Sequence, residues 1–133
     1  MIGKILVGTA ANEDADASLG VAAELAISNN AELVILQVAP LVDARLLFDP
    51  ESVPADDHDA VDRLRQAHPG LRLRSSTTQG YPLAAVYGAA AEEKPDLIVI
   101  GQHVSGRGSG LLSRRASRAL VRRSQCTVLL VAS

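Results

Sequence analysis

The sequence predicts a doubly wound α/β domain, a mostly parallel five-stranded sheet with helices on both faces. Short apolar runs recur along the chain, helical patterns fall between successive runs, and the alternation is unbroken from the first residues to the last. Strict β-α alternation requires right-handed crossovers and parallel neighbours, because each helix returns the chain to the same end of the sheet.

Ile5 to Val7, Leu33 to Val38, Leu97 to Ile100 and Val128 to Val131 are the clearest strands. They are too short for core helices and rich in Val, Ile and Leu with little polar alternation, as strands covered on both faces are. Leu71 to Thr78 alternates more and carries Arg72 and Arg74, which predicts a sheet edge. In the first helix Ala15, Leu19, Ala22, Ala23 and Ala26 share one face, and Asn29-Asn30 offers a left-handed stop. The second helix runs over Ala55 to Ala67 and ends at His68-Pro69-Gly70. Pro82 opens the third at a favoured first-turn position, and the pattern continues through Ala91 before Pro95 ends it. The fourth covers Ser113 to Arg123, with Leu112, Ala116, Ala119 and Leu120 on its apolar side. Ala39 to Pro54, with three prolines, reads as a long loop or lid.

The 133 residues form one domain, long enough to bury roughly two-thirds of the unfolded surface without metal or disulfide. With 47% apolar and 21% charged residues, the composition excludes a disordered chain. The single cysteine, Cys126, cannot form an internal disulfide and suits a reducing cytoplasm. No apolar run approaches the roughly 18 to 20 residues of a membrane span, so a soluble cytoplasmic protein is expected. The net charge of −2 conceals a division: residues 1–62 hold two basic and twelve acidic side chains, residues 63–133 eleven basic and three acidic. Both halves carry regular apolar patterning, so the division describes two faces of one folded unit rather than a charged tail.

Ligands of such sheets bind beyond the carboxyl ends of the strands, where the strand order reverses. With the first strand central, the reversal lies between it and the fourth, and the loops to inspect are Gly8 to Asp14 and Gly101 to Leu112. Nothing catalytic converges there. His58, His68 and His103 have no metal-ligand spacing, and neither a Gly-x-Ser-x-Gly elbow nor a P-loop lysine occurs. A non-enzymatic protein is therefore expected. Arg115, Arg118 and Arg122 share one helical face, which suits a solvated face or an acidic protein partner better than nucleic acid, since no helix-turn-helix signature and few aromatics occur. Cys126 is expected to be buried and inert, and Tyr81 and Tyr87 to be packing residues. An apolar last strand at a sheet edge invites a second copy of the chain, predicting a homodimer.

The opening KILVGT with its polar loop and Ala-rich helix, the ELVILQVAP strand, the segment QGYPLAAVYGAAAEEKPDLIVIGQH and the closing TVLLV resemble the universal stress protein family over the whole chain. Gly80 to Gly101 is the most specific part. The resemblance implies a Rossmann-like sheet of order 3-2-1-4-5 and a dimer formed through Thr127, Val128, Leu129, Leu130 and Val131. Family members that hold ATP carry Gly, two residues, Gly, nine residues, then Gly with Ser or Thr. Laid on this chain without gaps, Gly101 takes the first position, Val104 the second, and Arg114 and Arg115 the last pair. The aspartate such members carry after the first strand is replaced by Ala10, beside Thr9. Val38 stands where the family contacts adenine through backbone atoms.

Two readings stay open. In one, the nucleotide site is degenerate and the chain is a non-catalytic stress-response or regulatory module with no nucleotide cofactor, acting through binding. In the other, Gly106 serves as the second glycine after a two-residue shift. His103, Arg107, Arg114, Arg115 and Ser117 then help hold ATP or AMP in a switch built on residues 106–117, with charge replacing backbone contacts.

Overall fold

A computed structural model describes residues 1–10, 16–39, 58–102 and 111–132. Strand β1 (Lys4–Ala10) leads to α1 (Asp16–Asn29), β2 (Glu32–Ala39), α2 (His58–Ala67), β3 (Leu73–Gln79), α3 (Pro82–Glu93), β4 (Leu97–Gln102), α4 (Arg114–Arg123) and β5 (Thr127–Ala132). The five strands form one sheet of order β3-β2-β1-β4-β5, and every neighbouring pair is parallel. This is the doubly wound architecture that the alternation predicts. The start of the second helix at Ala55 and the lid over residues 40–54 lie outside the described residues.

The sheet is buried on both faces because its central strands have no polar side to offer. Ile5, Val7, Leu33, Ile35, Leu97 and Val99 point to one face, where they pack with Leu19, Ala22, Ala23 and Ala26 of α1 and Ala60, Val61 and Leu64 of α2. Leu6, Val34, Leu36, Val38, Ile98 and Ile100 point to the other, beneath Val86 of α3 and Leu120 of α4. Successive strand residues alternate sides, so an unbroken apolar run is what two-sided burial requires. The fully buried alanines of α1 let that helix lie close against the sheet.

Helix ends follow their local chemistry. Asn30 adopts φ 52°, with Ala31 N–H donating to the Ala26 carbonyl and Asn30 N–H to that of Ile27, the paired bonds of a Schellman stop. Helix α3 runs two residues past the expected Ala91, because Lys94 turns left-handed at φ 49° and its N–H reaches the Ala90 carbonyl before Pro95. Its first turn is entered through Gly80, whose φ of 155° disfavours any side chain and whose N–H donates to the Ala39 carbonyl.

The amino-terminal ends of the strands are tied by charge. Glu93 accepts from Arg74 at 2.7 Å and from Lys4 at 3.2 Å, and Arg74 also pairs with Glu32. Edge strand β3 is thereby joined to α3 and to β2. Asp96 accepts the backbone N–H groups of Gly3 and Lys4 at 2.8 and 3.1 Å. Arg74, then Lys4, hold the Glu93 carboxyl below its ordinary range, and the two amides do the same for Asp96. A carboxylate whose pKa is depressed by folding stabilises the fold above its unfolded value, about 4, and ceases to as pH falls through the folded value. Urea melts are therefore expected to show stability declining from about pH 5 downward, with a shallower decline in Glu93→Gln and Asp96→Asn. Identical slopes in all three proteins would refute the assignment.

Candidate functional site

The sheet opens at its strand-order reversal. Pairing of β1 with β2 continues to Ala10 and Val38, and that of β4 with β5 to Gln102 and Ala132. Pairing of β1 with β4 stops earlier, at Gly8 and Ile100. Thr9 and Ala10 therefore diverge from Gly101 and Gln102, and a crevice begins between them. Thr9 and Val38 are buried, Ala10 and Gly101 half-buried. These predicted residues thus meet at one end of the sheet. The loop residues His103, Gly106 and Arg107 lie outside the described residues.

The start of α4 reaches the same crevice through a contact that pattern reading did not single out. A Cβ placed on Gly8 would lie 2.8 Å from Leu111 Cδ2 and 3.1 Å from Ile100 Cδ1. Buried Leu111 therefore sits directly on the bare strand, three residues before the helix that follows. Ser113 caps that helix, its Oγ accepting from Ala116 N–H at 3.1 Å. The capping serine at the expected helix boundary was the signal available in the sequence. Gly101 faces Ser18 of α1, whose Oγ would be 3.6 Å from an added Cβ, an ordinary contact.

The first turn of α4 is strongly positive. It holds Arg114 and Arg115, both exposed, and no acidic residue. A helix N-terminus already carries about half a positive charge, so arginines there add to the positive potential that attracts an anion. Ser117, one turn further along α4, is buried like Thr9 and Val38. It is 1% exposed, and among the described residues its Oγ has no hydrogen-bond partner. A buried unsatisfied hydroxyl costs about 1 to 3 kcal/mol, so Ser117→Ala is expected to stabilise the ligand-free protein by about 1 kcal/mol in urea titrations. Destabilisation would show that the hydroxyl has a native partner.

Two other expectations change. Tyr81 is 72% exposed rather than packed, standing at the N-cap position before the first turn of α3. Tyr87 does pack, and its hydroxyl donates to the Ala119 carbonyl at 3.1 Å, joining α3 to α4. Cys126 is half-buried just before β5 rather than fully enclosed. On β5, Thr127 and Leu129 are exposed while Val128, Leu130 and Val131 are half-buried, and among the described residues the strand pairs with β4 alone. Among the described residues, no cluster of His, Cys, Asp or Glu could hold a metal, and no helix is long and apolar enough to cross a membrane.

A parallel sheet with a crevice at its strand-order reversal and a helix start beside it defines a doubly wound α/β binding domain. A model of the universal stress protein family matches residues 1–132, and the chain belongs to that family. Solved structures agree in fold. A universal stress protein in complex with cAMP is similar at 25% identity and a TM-score of 0.68, over 98% of this chain and 97% of that one. Universal stress protein UspA from Lactobacillus plantarum is similar at 21% identity and a TM-score of 0.70, over 98% and 97%. The universal stress protein from Archaeoglobus fulgidus in complex with dAMP is similar at 20% identity and a TM-score of 0.65, over 98% of each chain. A sequence comparison with curated proteins gives no match.

Proposed function

We propose that this chain is a non-catalytic, dimeric stress-response module that holds an adenine nucleotide in the crevice between β1 and β4. Arginines at the start of α4 meet the phosphate where other family members use glycines. The carrying observation is that β1–β4 pairing ends at Gly8 and Ile100 while Leu111 brings a helix start bearing Arg114 and Arg115 to the same place. Similar proteins solved with cAMP and dAMP support an adenine mononucleotide as the ligand class. The resemblance to the family implies that the backbone at Val38 lies against the base, and guanidinium groups recognise phosphate bidentately.

Calorimetric titration with AMP, cAMP and ATP tests the reading. Saturable binding in the micromolar range, without phosphate release from ATP, is expected. Flat titrations with all three would refute the nucleotide site, and steady phosphate release would refute the non-catalytic assignment. The protein is assigned to a reducing cytoplasm, where Cys126 remains a thiol.

The open edge of β5, with Leu129 36% exposed, supports pairing with a second copy. Light scattering is expected to give about twice the 13.9 kDa chain mass at micromolar concentration. A monomer mass throughout would refute the dimer.

A further inference from the structure

The opposite pole of the domain holds a second cavity, of about 530 Å³, between the carboxyl ends of α3 and α4. The six residues of β4 separate it from the nucleotide crevice by roughly 16 Å. Pro95, Ile98 and Leu120 are buried at its floor, and Tyr87 and Ala90 form one wall. Its volume falls within the range of small-molecule sites, about 300 to 1,000 Å³. Lys94 and Arg123 line it as well, both exposed, and their charged side-chain groups make no hydrogen bond or ion pair with the described residues. Glu93, one residue from Lys94, is already engaged by Arg74 and Lys4.

We propose that this cavity binds a small amphiphilic anion: an apolar body on the Ile98–Leu120 floor, with a carboxylate or phosphate head between Lys94 and Arg123. Charge favours this occupant. Each helix C-terminus presents about half a negative charge, so two helix ends offset about one of the two full positive charges. About one unit of positive charge remains over an apolar pocket. An uncharged ligand would use the floor but leave both cations unpartnered. The assignment does not depend on the nucleotide reading, because the two sites lie at opposite ends of the sheet.

Cys126 lines the same cavity and is the only thiol in the chain, so it reports occupancy directly. The test measures the rate at which N-ethylmaleimide modifies Cys126 in the full chain, with octanoate, octyl phosphate or octanol on the order of a millimolar. Octanoate, octyl phosphate or both are expected to slow labelling about tenfold, which charge-assisted contacts supply, and octanol much less. The comparison of the two anions identifies the head group. In Lys94→Asn/Arg123→Gln, at two exposed positions, the anions are expected to lose their advantage over octanol while thermal stability stays close to wild type. Saturating AMP is expected to leave protection unchanged. Labelling indifferent to both anions would overturn the site. Equal protection by octanol would also overturn the anion assignment, leaving the two cations to offset the helix dipoles.

Discussion

Gly8→Val is expected to lower the stability of the domain by about 2 kcal/mol, and its midpoint of thermal unfolding by about 8 °C. The reason is local. An added Cβ alone would stand 2.8 Å from Leu111 Cδ2, 3.1 Å from Ile100 Cδ1 and 3.5 Å from Val86 Cγ2. Val86 and Ile100 are fully buried, so the branched valine has no free volume to enter. Gly8→Ala should cost about half as much, because the two nearest atoms are side-chain tips that can shift a few tenths of an ångström. Gly101→Ala is the control. Its Cβ would make only an ordinary contact with Ser18, and a change within about 0.5 kcal/mol is expected. Differential scanning calorimetry decides the matter, and equal midpoints for Gly8→Val and wild type would disprove the close approach. Because Leu111 precedes α4 by only three residues, Gly8→Val is also expected to weaken nucleotide binding without touching a phosphate contact.

The second large effect concerns charge. Arg114→Glu/Arg115→Glu is expected to weaken AMP and ATP binding about a hundredfold, equivalent to about 2.7 kcal/mol. The same change should make the ligand-free fold slightly more stable, by about 0.5 to 1 kcal/mol, since acidic residues suit a helix N-terminus and arginines do not. Opposite signs for affinity and stability separate this outcome from unfolding. Calorimetric affinities and urea melts on the same preparations measure both. Undiminished affinity would show that these arginines do not meet the ligand. A fall in both quantities would show that the arginines serve the fold rather than the phosphate.

Much of the architecture is legible because the central strands are buried on both faces. Ile5 to Val7, Leu33 to Val38 and Leu97 to Ile100 leave no side for polar alternation, so each run reads as a strand from composition alone. Exposed Arg74 of β3, with Arg72 just before it, likewise identifies an edge, and the left-handed Asn30 is a backbone state that its residue type favours. The crevice is less legible. Thr9, Ala10, Val38 and Gly101 can be assigned to its rim by topology and family resemblance, but the point at which β1 and β4 part is a pairing fact that no single strand contains.

Local sequence by itself determined the order of elements, the parallel sheet and the positive start of α4. Those follow from periodicity, turn residues and charge over a few neighbouring positions. The tertiary structure alone decided that Leu111 rests on Gly8, that Ser117 is enclosed without a partner among the described residues, and that Lys94, Arg123 and Cys126 ring one cavity. Each of these joins residues distant in sequence or enclosed by several elements, and such contacts are set by how helices settle on the sheet rather than by any one segment's preferences.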